Sequence, residues 1–128
     1  MIGGIVLIQS GKKGKLAKRN LLKDEGGLTI GVFESRNYSG GRTYSISFSY
    51  KVDGKDYRNG DTHCFLDSPK ASNAFTNKDL ARKKDRFLVL YNKENPKESI
   101  IRLDYPVKDS ADFKRYVKEF EQKRKLKE

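Results

Sequence analysis

Tryptophan is absent from this chain, and histidine, cysteine and methionine occur once each. A single cysteine, Cys64, excludes an intrachain disulfide and fits a reducing compartment. Zinc takes three or four Cys, His or carboxylate ligands, so one histidine and one cysteine leave any such site dependent on scattered aspartates. The aspartates are not spaced like a metal-binding loop. His63 and Cys64 are neighbours, and on an extended Thr62–Leu66 segment their side chains point to opposite faces. That excludes a nucleophile–base pair and leaves Cys64 as a small core residue. Gly40-Gly41 lacks the lysine and helix of a phosphate-binding loop. There is no internal repeat, no low-complexity tract and no run near the ~20 apolar residues of a spanning helix. These absences assign no catalytic residue, metal or cofactor. The chain is expected not to be an enzyme, and no small-molecule substrate is indicated.

Base is what the chain has in excess. Among its 128 residues, 28 lysines and arginines face 17 acidic residues, a net charge of +11. Such a balance favours polyanions: an anionic membrane surface, nucleic acid or an acidic protein. No acid interrupts Gly11 to Lys23. The candidate polyanion contacts are therefore Lys12, Lys13, Lys15, Lys18, Arg19 and Lys23, with Arg82, Lys83, Lys84 and Arg86 as a second cluster. Lys123-Arg124-Lys125 is a third basic run. Apolar Ile2–Ile8 precedes the first cluster. It reads as a first strand, in preference to the end of a membrane anchor with its lysines on the cytoplasmic side.

The length sets a single core. Lys15 to Glu25 reads as a short helix stopped by Gly26-Gly27. Leu28 to Arg36 alternates like a strand, and Asn37 to Arg42 reads as a loop. The clearest signal follows. Tyr44, Ile46, Phe48, Tyr50 and Val52 share one face of a strand, and Thr43, Ser45, Ser47, Ser49 and Lys51 the other. Asp53-Gly54 suits a two-residue type I′ turn, and the return strand Lys55 to Arg58 then pairs Tyr50 with Tyr57 and Lys51 with Asp56. Thr62 to Leu66 reads as another short strand. Ser68-Pro69 opens a helical turn, and Thr76 with Asp79 resembles a cap for a second one over Asn77 to Lys84. Phe75 and Leu80 are the expected anchors onto the sheet. Arg86 to Tyr91 is a doubly buried strand, Asn95-Pro96 a turn, and Ser99 to Leu103 its partner. Phe113, Tyr116, Val117 and Phe120 recur at helical spacing behind an Asp109 or Ser110 cap. Beyond Glu121 that stripe stops, which predicts a basic tail.

An ordered set of these pieces carries a resemblance. Thr29-Ile30-Gly31-Val32 is followed by the aromatic run Tyr44 to Tyr50 and the hairpin Val52-Asp53-Gly54-Lys55-Asp56-Tyr57. Phe87 to Tyr91 and Asn95-Pro96-Lys97-Glu98-Ser99 then complete it. Over residues 28–103 the order resembles the bacterial domain of unknown function 3592 family and related small proteins of Bacteroidetes type. The resemblance implies a small β-rich domain, often attached to membrane helices, and no catalytic residues.

The expected architecture is α+β: a small antiparallel sheet or barrel of about five or six strands, a short helical insert and a C-terminal amphipathic helix. Residues 1–27 form an apolar and basic N-terminal segment, 28–108 the β-rich core, and 109–128 the C-terminal helix and basic tail. The expected function is that of a non-enzymatic accessory or interaction domain. Its partner would be an unknown protein or an anionic membrane surface, with a cytoplasmic location, or one peripheral to or anchored at the inner face of the membrane. The alternative is a small basic barrel that binds nucleic acid. Tyr44, Phe48, Tyr50 and Tyr57 would then stack bases, and Lys51, Lys55 and Arg58 would hold phosphates. A sheet with one apolar face needs that face for its core, so the tyrosines and phenylalanines are expected inside.

Overall fold

A computed structural model describes residues 11–39 and 43–126. The element order is α1 (Gly11–Glu25), β1 (Gly27–Ser39), β2 (Thr43–Val52), β3 (Lys55–Asp61), a 3-10 turn (Cys64–Asp67), α2 (Pro69–Thr76), β4 (Arg86–Asn92), β5 (Asn95–Pro106) and α3 (Ser110–Leu126). The fold is α+β, with five strands in the order β3-β2-β1-β4-β5, every neighbouring pair antiparallel.

Local chemistry accounts for the centre of the sheet. The period-two run forms β2, and Asp53 and Gly54 both adopt positive φ, 51° and 80°, as a type I′ turn requires. Tyr50 lies opposite Tyr57 and Lys51 opposite Asp56, the expected register. A bulge between Phe33 and Ser35 reverses the facing of β1 beyond it, so that Arg36 lies opposite the inward Ile46. Gly31 packs so closely on Val89 that a methyl group there would overlap the valine side chain.

The sheet curls until its edges meet. Asn59 of β3 donates to the carbonyl of Lys97 and to the Ser99 hydroxyl of β5, and the Ile101 amide donates to Asp61 at 3.1 Å. Tyr50 reaches across the interior to the Pro96 carbonyl at 2.6 Å. Side chains therefore satisfy edge groups that a backbone ladder would otherwise take. Inside the curl lie Phe33, Ile46, Phe48, Val89, Ile101 and Leu103, closed at one end by Cys64 and by Ala71, Ala74 and Phe75 of α2. Outside it, Leu88, Leu90 and Ile100 meet Leu22 of α1 and Tyr116 and Phe120 of α3. Strand β4 is thus buried on both faces, as its unbroken apolar run requires.

Several local expectations are corrected. Residues 64–67 form a 3-10 turn where a strand was expected, because Asp61 accepts the His63 amide at 3.0 Å and bends the chain. Ser68 caps α2 through the Ala71 amide, but α2 ends at Thr76 and no helix follows over 77–84. There Asn77 accepts the Asp79 amide in a turn, and Leu80 is exposed rather than an anchor. The turn before β5 falls at Lys93-Glu94, leaving Pro96 within the edge strand β5, where a missing N–H is tolerated. Strand β1 continues through Ser39 into the expected loop. Finally, α3 continues to Leu126 because Arg124 lies over the Phe120 ring and donates to the carbonyls of Leu22, Lys23 and Gly26, closing the end of α1. The expected strand at Ile2–Ile8 lies outside the described residues.

Candidate functional site

Two features could carry function: a buried network of charges, and a cleft lined by cations that have no ion-pair partner among the described residues.

The network begins at Arg19, one of the expected polyanion contacts. It is buried, with 4% of its surface exposed, and its guanidinium meets Asp61 at 2.8 Å and Asp67 at 2.6 Å. Lying one turn before the buried Leu22, it faces the seam between β3 and β5, where no external anion can reach it. That corrects the expectation for this residue. The chain of charges continues from Asp67 to Arg102 at 3.2 Å and from Arg102 to Asp104 at 3.0 Å. Burial opposes the Arg19 charge, but Asp67 and Asp61 outweigh it and hold the group above its ordinary value. Burial also raises Asp67, against the pull of its two arginines. For Asp104 burial acts upward as well, but Arg102 prevails and the carboxyl lies below its ordinary value.

Because Asp104 is depressed in the folded state, it contributes stability that is present above its unfolded value of ~3.9 and lost as pH falls through the lower folded one. In urea titrations between pH 6 and pH 2, Asp104→Asn should therefore lose less stability on acidification than the parent. Parallel curves across that range would contradict the assignment.

A cleft of about 570 Å³ opens beside this network, between the ends of α1 and α3, with Asp67, Arg102, Asp104 and Tyr105 on its wall. Two of its lining groups share one acid: Tyr105 donates to Glu119 at 2.8 Å, and Lys123 approaches Glu119 at 3.1 Å. Among the described residues, no buried side-chain nitrogen or oxygen lacks a hydrogen-bond partner. This arrangement holds α1 against the sheet. Cys64 is fully buried, as a small core residue, and burial raises its thiol well above the ordinary value.

The second cleft, about 630 Å³, lies between the loop joining α2 to β4 and the segment joining β5 to α3. Its rim brings together Lys70, Arg82, Lys84, Arg86 and Lys108, with Asp79 and Asp85 as the acids. Among the described residues none of these five cations has a carboxylate within ion-pairing distance. Asp85 is occupied by the Arg82 backbone amide at 2.8 Å. The floor is apolar, formed by Phe87, Leu103 and Val107, and exposed Leu80 stands at the edge.

Two devices fix this loop. Arg36, turned inward by the β1 bulge, donates to the carbonyls of Ala74, Phe75 and Ala81 at 2.7–3.0 Å. Lys84 has a left-handed backbone, φ 78°, held by its amide on the Phe33 carbonyl at 2.7 Å, while the Asp85 carbonyl accepts from Phe33. A lysine in that conformation costs ~1 kcal/mol that glycine would avoid. Arg86 is fixed by a 2.7 Å bond from its guanidinium to the Lys108 carbonyl.

Of the sequence-derived contacts, Arg82, Lys84 and Arg86 thus converge on one volume, and Lys83 is exposed beside them. Lys18 and Lys23 are exposed on α1, away from this cleft. Lys12, Lys13 and Lys15 have helical backbone, and their side chains lie outside the described residues. Sequence reasoning missed Lys70, Lys108 and the positioning role of Arg36. Their separation along the chain left no local signal. Of the aromatic residues proposed as a base-stacking platform, Phe48 is fully buried and Tyr50 is 4% exposed, while Tyr44 and Tyr57 are half-buried against the same core.

The family model described as "Domain of unknown function (DUF3592)" matches residues 27–106. No curated protein and no solved structure matches the chain.

Proposed function

Since the chain belongs to the DUF3592 family, whose description assigns no role, we propose that it is a non-enzymatic interaction domain that docks on an anionic membrane surface. The observation that carries this reading is the convergence on one cleft of an exposed leucine and five cations with no ion-pair partner among the described residues. The distribution of acids reinforces it. The buried network holds two arginines and three aspartates, summing to −1, so the total of +11 leaves +12 for the rest of the chain. Each exposed lysine or arginine near an anionic leaflet is worth ~1 kcal/mol, and the rim supplies five of them. Leu80 favours a lipid surface over nucleic acid: an aliphatic side chain enters the headgroup boundary, whereas bases need exposed rings to stack on.

Among the described residues no helix is long and apolar enough to cross a membrane, so the reading rests on surface contact. Flotation with vesicles of phosphatidylcholine alone or with phosphatidylserine tests it. Recovery should require phosphatidylserine and fall steeply with added salt. Equal recovery on both lipids, or none on either, overturns it. So does tighter binding to a mixed-sequence oligonucleotide than to the anionic vesicles.

A further inference from the structure

Resting on that reading, we infer that the cleft between the α2–β4 loop and the β5–α3 segment is a receptor for a membrane-borne phosphomonoester, a dianionic lipid headgroup. A flat basic surface attracts any anionic lipid in proportion to charge. This surface is concave. Its volume of about 630 Å³ is within the range of small-ligand sites, and its cations reach the rim from separate segments: Lys70 from α2, Arg82 and Lys84 from the loop, Arg86 from β4 and Lys108 from beyond β5. A group seated there meets several of them at once. A phosphomonoester carries nearly two charges and three terminal oxygens, so it gains from every added donor. A phosphodiester or a carboxylate carries one charge and gains less.

The rim is also organised in advance. The Lys108 carbonyl orients the Arg86 guanidinium, and Arg36 ties the end of α2 and the loop together through the carbonyls of Ala74, Phe75 and Ala81. The left-handed backbone of Lys84 places a long cation at a position where glycine would be less strained. The pattern differs from that of the buried arginines. Arg19 and Arg102 are neutralised by aspartates, whereas the five cleft cations outnumber Asp79 and Asp85 and form no ion pair among the described residues. Leu80 at the edge commits the occupant to a lipid, because a soluble phosphate has no use for an exposed leucine beside it.

The test is flotation of the full chain with phosphatidylcholine vesicles carrying either phosphatidic acid or phosphatidylserine, matched in surface charge. Recovery on phosphatidic acid should exceed that on phosphatidylserine by about tenfold in affinity, the scale of an added charge-assisted contact. Lys84→Asn keeps a residue that tolerates the left-handed backbone, and Arg82→Gln is an exposed substitution. Each should bring the preference below about threefold while leaving most phosphatidylserine binding in place. Lys118→Gln, on the exposed side of α3, should leave the preference unchanged.

Equal binding to the two lipids at matched charge overturns the phosphomonoester site but leaves the docking reading standing. Binding to neither overturns both. Complete displacement from phosphatidic acid vesicles by an equal concentration of soluble glycerol phosphate would assign the cleft to a soluble ligand and overturn the lipid source.

Discussion

Asp61→Ala should lower unfolding stability by about 3–5 kcal/mol, the loss expected when one partner of a buried ion pair is removed. Asp61 is 5% exposed and has three tasks. Both its oxygens accept from Arg19 at 2.8 Å, one takes the Ile101 amide and the other the His63 amide. Alanine would leave one Arg19 nitrogen and two backbone donors without their acceptor, each carrying a desolvation penalty, while Asp67 keeps its hold on the rest of the guanidinium. The substitution would therefore loosen α1, the β3–β5 seam and the bend before α2 together. The surface pair Lys51–Asp56 offers the contrast. Its side chains are 67% and 82% exposed, so Asp56→Ala should change stability by under ~1 kcal/mol. Urea denaturation followed by circular dichroism measures both. Similar small losses for the two aspartates would contradict the network's role.

Phe48→Ala should cost about 3–5 kcal/mol by leaving a ring-sized void in the curled sheet. Phe48 is fully buried, stacks on Tyr50 at 5.7 Å between ring centres, and lies opposite Phe33. Tyr38→Ala removes a ring that is 59% exposed and edge-on to Tyr44, and should cost under ~1.5 kcal/mol. The two results together separate a core aromatic run from a ligand platform. If Phe48→Ala were tolerated with little change in stability, the ring could not be filling the core.

The parts legible in the sequence were those set by neighbours along the chain. Period-two alternation specified β2 and its inward face, and Asp53-Gly54 specified the turn and hence the Tyr50–Tyr57 register. The Ser68-Pro69 start of α2 likewise rests on a contact three residues away. What stayed hidden depends on partners far along the chain. Arg19 reads as one basic residue among six until Asp61 and Asp67, 42 and 48 positions later, draw it inside. Arg124 reads as part of a tail until the end of α1, about 100 positions earlier, supplies its carbonyls. The cleft shows the same division. Arg82, Lys84 and Arg86 form a cluster in sequence, but only the fold adds Lys70 and Lys108 and uses Arg36 to hold the loop.

Membrane docking through the basic cleft can be read directly from a dye placed at its edge. Cys64 is fully buried, so a cysteine introduced at Leu80 takes a polarity-sensitive label selectively, and Asp56→Cys on the β2–β3 hairpin serves as the distant control. On vesicles containing phosphatidylserine, emission from position 80 should shift to the blue and that from position 56 should not. A shift at position 56 alone, or at neither position while the protein is vesicle-bound, would contradict docking through this face.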